Sequence, residues 1–305
     1  MRSSPKRDIK FRLARRFDYE SRSAALFILP VMSVLAIVAV FPILYSFYTS
    51  FFNLKLTRPH RVPFVWFDNY IKVLSDELFW ASVSRTVSFT VMSVAAILVL
   101  SLSIAILLNE SFRGRRLLSA IILIPWAIPT VANGLLWKWI YDSGFGALNG
   151  LLFQLGIIDS YITWLGDSDK TIPLISNSFV WKEVPLAAIL ILVTMKSIPE
   201  DLYRAAKVDG ANVFKRFIHI TIPSLKPGFM LVMIYETMMA IRHFDLFFLL
   251  TEGGPAEASH VVSWQIYVET FRNLSFGTGS AMSYILALVT FALAYFIIRT
   301  LGSKL

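Results

Sequence analysis

The sequence contains no cysteine, few charges and no nucleotide-cradling run, and each shortage removes a class of function. Without cysteine there can be no disulfide and no thiolate chemistry. Charged residues make up 16% of the 305, against about 25% in an ordinary soluble domain. The four histidines, His60, His219, His243 and His260, show no metal-ligand spacing, and no H-x-x-x-H occurs. No G-x-x-x-x-G-K-[ST] is present, so ATP is not expected to bind to this chain itself. No Ser/His/Asp arrangement stands out either. No catalytic residue, metal or cofactor is expected.

What remains is apolar. Hydrophobic residues reach 56% and the mean hydropathy is +0.63. A helix needs about 20 apolar residues to cross a bilayer. Residues 24–54, 86–109, 117–137 and 273–298 supply such runs without a charge. Two further segments are long enough but interrupted. Residues 171–195 carry Lys182, Glu183 and Pro185, and 227–251 carry Glu236, Arg242, His243 and Asp245. The predicted fold is an all-α polytopic membrane protein with six transmembrane helices, at about 24–51, 85–108, 117–139, 171–195, 226–250 and 281–299. A basic arm (1–22) precedes a transmembrane domain (23–305). The first apolar run is too long for a signal-peptide core and has no small-x-small cleavage site, so it reads as a retained anchor.

Lys and Arg set the expected orientation. Nineteen of the 29 fall in the arm, in 110–116, in 196–226 and at the carboxyl end, whereas the alternate loops hold six. The positive-inside rule puts both termini and 197–225 in the cytoplasm. The net charge of +9 is thus mostly topology, and nucleic-acid binding is not expected.

That cytoplasmic segment has more order than a surface loop needs. Its pattern predicts a short helix from Pro199 to about Val208, a turn at Asp209-Gly210, and a second helix ending before Pro223. Val213, Phe214, Phe217 and Ile218 form an apolar strip at helical spacing. It reads as a docking element. The pattern Ala205, Ala206, Asp209, Gly210, Ala211, Phe217, Ile220, Pro223 resembles the cytoplasmic signature loop of binding-protein-dependent ABC importer permeases. Arg204 stands where that family usually has Glu. Further stretches carry the same likeness, among them Leu123-Ile124-Pro125-Trp126-Ala127-Ile128-Pro129, Trp164-Leu165-Gly166 and Glu252-Gly253-Gly254-Pro255. Together they resemble the carbohydrate branch, which handles maltose-like oligosaccharides, other sugars and glycerol phosphate derivatives.

The resemblance implies a type I importer permease that forms half of a translocation pathway. Its implied partners are a second homologous permease subunit, a dimer of ATP-binding cassette ATPases, an extracytoplasmic solute-binding protein, a sugar substrate and the lipid bilayer. Leu202, Arg204, Ala205, Ala206, Asp209, Gly210, Ala211, Phe214, Phe217 and Pro223 are the expected contacts to the ATPase, with Arg204 placing one usual polar contact in question.

Charges within spans are costly and face a protein interior or a wet cavity. At helical spacing Glu236, Ala240 and His243 share a face, and Arg242 and Asp245 are placed to pair. Trp126, Thr130 and Asn133 recur at i, i+4, i+7, an aromatic plate beside small polar groups that suits a sugar ring. Phe179 and Glu183 are one turn apart, and Asn177 is a further polar candidate. For each set a structural alternative stands: neutralisation between helices, or Trp, Thr and Asn bonded across the bundle. The resemblance places Trp126, Thr130, Glu236, Ala240 and His243 at substrate positions. A second class of function, a proton-coupled secondary transporter using Glu236, His243 and Asp245, explains the buried charges but not the ordered loop.

Overall fold

A computed structural model of the protein describes residues 26–302. The basic arm (1–22) lies outside the described residues. Within them there is no strand, only two isolated bridges, Phe52 with Phe64 and Lys55 with Ser275. Four helices are individually long and apolar enough to span a bilayer: α1 (Leu26–Ser50), α3 (Glu77–Asn109), α7 (Ser168–Lys196) and α13 (Phe276–Thr300, continuing helically to Gly302). Two bent pairs make six spans: α4 (Arg115–Ala127) with α5 (Thr130–Ile140), and α9 (Val213–Ser224) with α10 (Lys226–Ile241). Shorter helices fill the connections: α2 (Asp68–Leu74), α6 (Ala147–Gln154), α8 (Glu200–Val208), α11 (Asp245–Leu250) and α12 (Val262–Tyr267).

The core is the α3–α7 pair. Between lipid-embedded helices there is no hydrophobic drive, so association depends on close packing and cross-helix hydrogen bonds. The buried face of α3 is built for this, with Ser82, Thr86, Phe89, Ser93, Ile97, Ser101, Ala105 and Leu108 recurring at three- and four-residue spacing. Ser93 and Ser176 Oγ meet across the seam at 2.7 Å, and Phe89 packs edge-on against Phe179. By contrast α1 exposes nearly all of its side chains and is held at its last turn. There Thr49 reaches Ser280 (3.2 Å), Ser50 reaches Tyr70 (2.7 Å), and Asn69 Nδ2 donates to the carbonyls of Ser50 and Phe52.

Several expected boundaries move. The second span starts at Glu77 rather than 85, because Asp76 caps it, its carboxylate accepting from the Leu78 N–H at 3.1 Å. The sixth starts at Phe276 rather than 281. The third, expected as one run over 117–139, turns by 94° at Ile128-Pro129. A proline disfavours helical geometry in the residue before it, and Ile128 is extended, at φ −73°, ψ 129°. The fifth, expected over 226–250, stops at Ile241 and resumes as α11. Pro185, in contrast, sits inside an unbroken α7.

The second helix of the 199–223 segment does not end before Pro223. It runs through to Ser224 because residues Phe217–Thr221 form a wider π turn just ahead of the proline. A wide turn leaves room for the pyrrolidine ring and for the missing N–H. The same device precedes Pro42 in α1, where Ala36–Val40 is π-helical.

Candidate functional site

The two broken spans and α7 enclose a cavity of about 270 Å³. It is lined by Trp126 and Thr130 from the α4–α5 break, by Phe179, Lys182 and Glu183 from α7, and by Tyr235, Met239 and residues 242–245 from α10 and the break beyond it. Of the residues predicted from the sequence, Trp126, Thr130, Phe179, Glu183 and His243 therefore come together. Trp126 is 42% exposed, its ring available to a ligand. Phe179 and His243 meet edge to face, 4.9 Å between ring centroids. Lys182 Nζ pairs with Glu183 Oε1 at 3.1 Å, while Glu183 Oε2 is buried with no hydrogen-bond partner among the described residues.

Glu236 and Ala240 do not line the cavity. Both are fully enclosed in the protein, and neither carboxylate oxygen of Glu236 has a hydrogen-bond partner among the described residues. The lining face of α10 is one residue out of phase, at Tyr235, Met239 and Arg242. His243 does not share the face of Glu236, because the helix has ended and the chain turns, the His243 N–H reaching the Ala240 carbonyl at 3.1 Å. Asn133 also faces away, fully buried, its Nδ2 donating to the Ser178 carbonyl at 3.3 Å. Asn177 donates to the Tyr141 hydroxyl at 3.0 Å and is likewise not part of the lining. Both asparagines follow the packing alternative. Arg242 and Asp245 form no ion pair; the guanidinium Nη2 lies 3.0 Å from Met239 Sδ.

Tyr235 was missed by sequence reasoning. Its signal was the i, i+4, i+7 recurrence of Tyr235, Met239 and Arg242, eclipsed by the more conspicuous charge at Glu236. Chemically the cavity offers aromatic faces, hydroxyls and both signs of charge within one small volume, a combination suited to a polyhydroxylated ring.

The second feature is the hairpin of α8 and α9. Its turn is sharp because Gly210 adopts φ +76°, the left-handed region that costs other residues energy. Asn212 caps α9, accepting from the Lys215 N–H at 2.8 Å, and the Tyr203 hydroxyl meets Thr221 Oγ1 at 2.9 Å, tying the two helices. Leu202, Val208, Val213, Phe214 and Ile218 project exposed apolar surface from this otherwise charged element. Ala205, Asp209, Gly210 and Pro223 are exposed as well, while Ala206, Ala211 and Phe217 are half-buried. Arg204 turns back on its own helix, pairing with Glu200 (3.0 Å) and Asp201 (3.5 Å).

Comparison with known proteins places this geometry. Residues 97–304 match the family described as the binding-protein-dependent transport system inner membrane component. The trehalose/maltose transport system permease protein of Thermococcus litoralis is 38% identical, the match covering 90% of this chain and 93% of that one. The sulfoquinovosyl glycerol transport system permease protein of Agrobacterium fabrum is 32% identical over 96% of this chain and 95% of its own length. Among solved structures, a bacterial ABC transporter involved in the import of the acidic polysaccharide alginate superposes with a TM-score of 0.81 at 20% identity, covering 96% of this chain and 99% of that one. The spans, the broken helices and these matches agree: the fold is that of a type I ABC importer permease, and the chain belongs to the family of inner membrane components of binding-protein-dependent transport systems.

Proposed function

We propose that this chain is the transmembrane permease subunit of an ATP-driven, binding-protein-dependent importer of a sugar or sugar derivative. The observation that carries the reading is the cavity at the two helix breaks, where Trp126, Phe179 and Tyr235 present aromatic faces beside Thr130, Lys182, Glu183 and Asp245. A sugar has apolar CH faces and a rim of hydroxyls, and such a lining answers both. The relatives' names, trehalose/maltose and sulfoquinovosyl glycerol, support the same class. At about 270 Å³ the cavity falls short of the roughly 300–1,000 Å³ of complete ligand pockets. A second, homologous permease subunit supplies the missing wall.

The α8–α9 hairpin is the docking piece for the ATPase, its exposed apolar edge at Leu202, Val213 and Phe214 fitting a cleft on that subunit. Both termini and the hairpin face the cytoplasm, and the connections at 52–80, 140–170 and 252–280 meet the solute-binding protein outside. ATP-driven closure of the ATPases moves the hairpin, and the third to sixth spans rock to turn the cavity outward. The two states must differ in contacts for ligand to bias them.

The test is reconstitution. The complex purified from membranes through a tag on this chain should take up sugar into vesicles only when ATP and the loaded binding protein are present. Uphill uptake by this chain alone, driven by a proton gradient, would overturn the reading in favour of a secondary transporter.

A further inference from the structure

The break at residues 242–244 separates two cavities, and one of them is outside the site described so far. This second cavity, about 430 Å³, lies between α10, α12 and α13, with Met238, Ser263, Ser283, Thr290 and Phe291 in its wall. Arg242 and Phe244 line it too, and both also line the first cavity. The two cavities thus adjoin at these two side chains.

The two chambers differ in charge. The first holds Lys182, Glu183 and Asp245 besides Arg242; in the second, Arg242 is the single charged lining residue. The hydroxyl protons there are already committed. Ser263 donates to the His243 carbonyl at 2.7 Å, Ser283 to Gly279 at 2.9 Å, and Thr290 to Leu286 at 2.8 Å. Arg242 itself is exposed to these chambers, with a thioether sulfur as its hydrogen-bond acceptor and no carboxylate at ion-pair distance among the described residues. Charged side chains within or beside spans ordinarily face a protein interior or wet cavity and pair there, so a cation left without a counter-ion points to a partner that arrives.

Building on the importer reading, we infer that the transported sugar carries an acidic substituent, which enters the second cavity and pairs with Arg242 while the sugar ring rests in the first. In the first chamber Lys182 is already paired with Glu183 and Asp245 is a further carboxylate, so the second chamber, where Arg242 is the single charged lining residue, is the one that favours an anion. The planar guanidinium suits a carboxylate, sulfonate or phosphate ester, each offering two oxygens in a plane. Arg242 is in this account the specificity-determining residue for charge.

The absence of cysteine makes a direct test available. Thr290→Cys, and separately Ser283→Cys, puts one thiol in this chain at the second cavity. Labelling of this chain in the purified complex by a negatively charged methanethiosulfonate is compared with labelling by a positively charged one. The negative reagent should react about tenfold faster, as focused potentials allow. Adding Arg242→Gln should bring the two rates together. D-Glucuronate or glucose 6-phosphate should slow labelling in the Arg242 protein, and D-glucose at the same concentration should not. Equal rates for both reagents would overturn the inference. So would an anion preference that neither acidic sugar diminishes, since Arg242 would then be answering a fixed carboxylate of a partner subunit or a lipid phosphate. Labelling needs no transport, so this inference can fail while ATP-driven uptake stands, and can hold where uptake is lost.

Discussion

The straight spans α3 and α13 and the broken spans α4–α5 and α9–α10 are made from similar apolar material but do different work. The straight pair has no internal proline, and α3 buries a regular stripe of small and aromatic residues. The broken pair carries Pro125, Pro129 and Pro223 and supplies Trp126, Thr130, Tyr235 and Arg242 to the cavity. An interrupted ladder frees backbone groups that only a cavity or protein interior tolerates within a bilayer. Polar lining and backbone breaks therefore coincide. Between the two stands α7, continuous through Pro173 and Pro185, which packs on α3 and presents Lys182 and Glu183 to the cavity, with Phe179 touching both.

Substitutions can break this contrast. The largest effect is expected at the head of a straight span. A Cβ on Gly277 would sit 2.0 Å from the Phe52 carbonyl oxygen, backbone that cannot step aside. Gly277→Ala should cost about 3 kcal/mol, the upper end for overpacking, read as a lower unfolding temperature in detergent. A variant as stable as the parent would remove the structural role given to straight spans. At Gly210 nothing lies within 4 Å of an added Cβ, so the penalty is conformational alone. Gly210→Val should cost about 1–2 kcal/mol of hairpin geometry. That corresponds to roughly a tenfold loss of ATP-driven uptake per complex, with Gly210→Asn closer to the parent.

A finer test compares neighbours on one broken span. Tyr235→Ala should raise the apparent KM for sugar uptake about tenfold, whereas Glu236→Gln should change it less than about threefold, the lining being one residue out of phase. Equal effects would restore Glu236 to the lining. The smallest expected effect lies outside the spans. Burial holds the His260 imidazole below its ordinary pKa, and its Nε2 has no partner among the described residues. The unfolded chain takes up that proton near pH 6.5 and the folded chain only at lower pH. Stability contributed by the neutral ring is complete above about 6.5 and declines as pH falls beneath it. Unfolding followed from pH 7.5 to 5 should show this slope, and His260→Gln should flatten it.

How much of this was legible in the sequence depends on which force sets each feature. The spans, the hairpin turn at Gly210 and the grouping of Trp126, Thr130, Phe179, Glu183 and His243 follow from hydropathy, glycine and helical spacing together with the family pattern. Glu236 was misplaced because the cost of a buried charge says that a group must avoid lipid, not which side of the helix it takes. His243 reaches the cavity, but not on a face shared with Glu236, because a turn beyond Ile241 resets the 100° phase. Asn133 illustrates a third limit. A polar side chain inside a bundle can turn its amide N–H to a neighbour's carbonyl, here that of Ser178, and periodicity cannot distinguish this from facing a cavity.

The π turn at Phe217–Thr221 has a mechanical consequence for the whole assembly. One surplus residue there offsets everything upstream by about 100° about the helix axis relative to a regular α-helix of the same length. Deleting that residue would aim Phe214 and the Gly210 bend toward a different quarter of the compass, and would take from Pro223 the room that the wide turn gives it. The turn works as an index mark, fixing the azimuth at which the hairpin leaves the helix bundle.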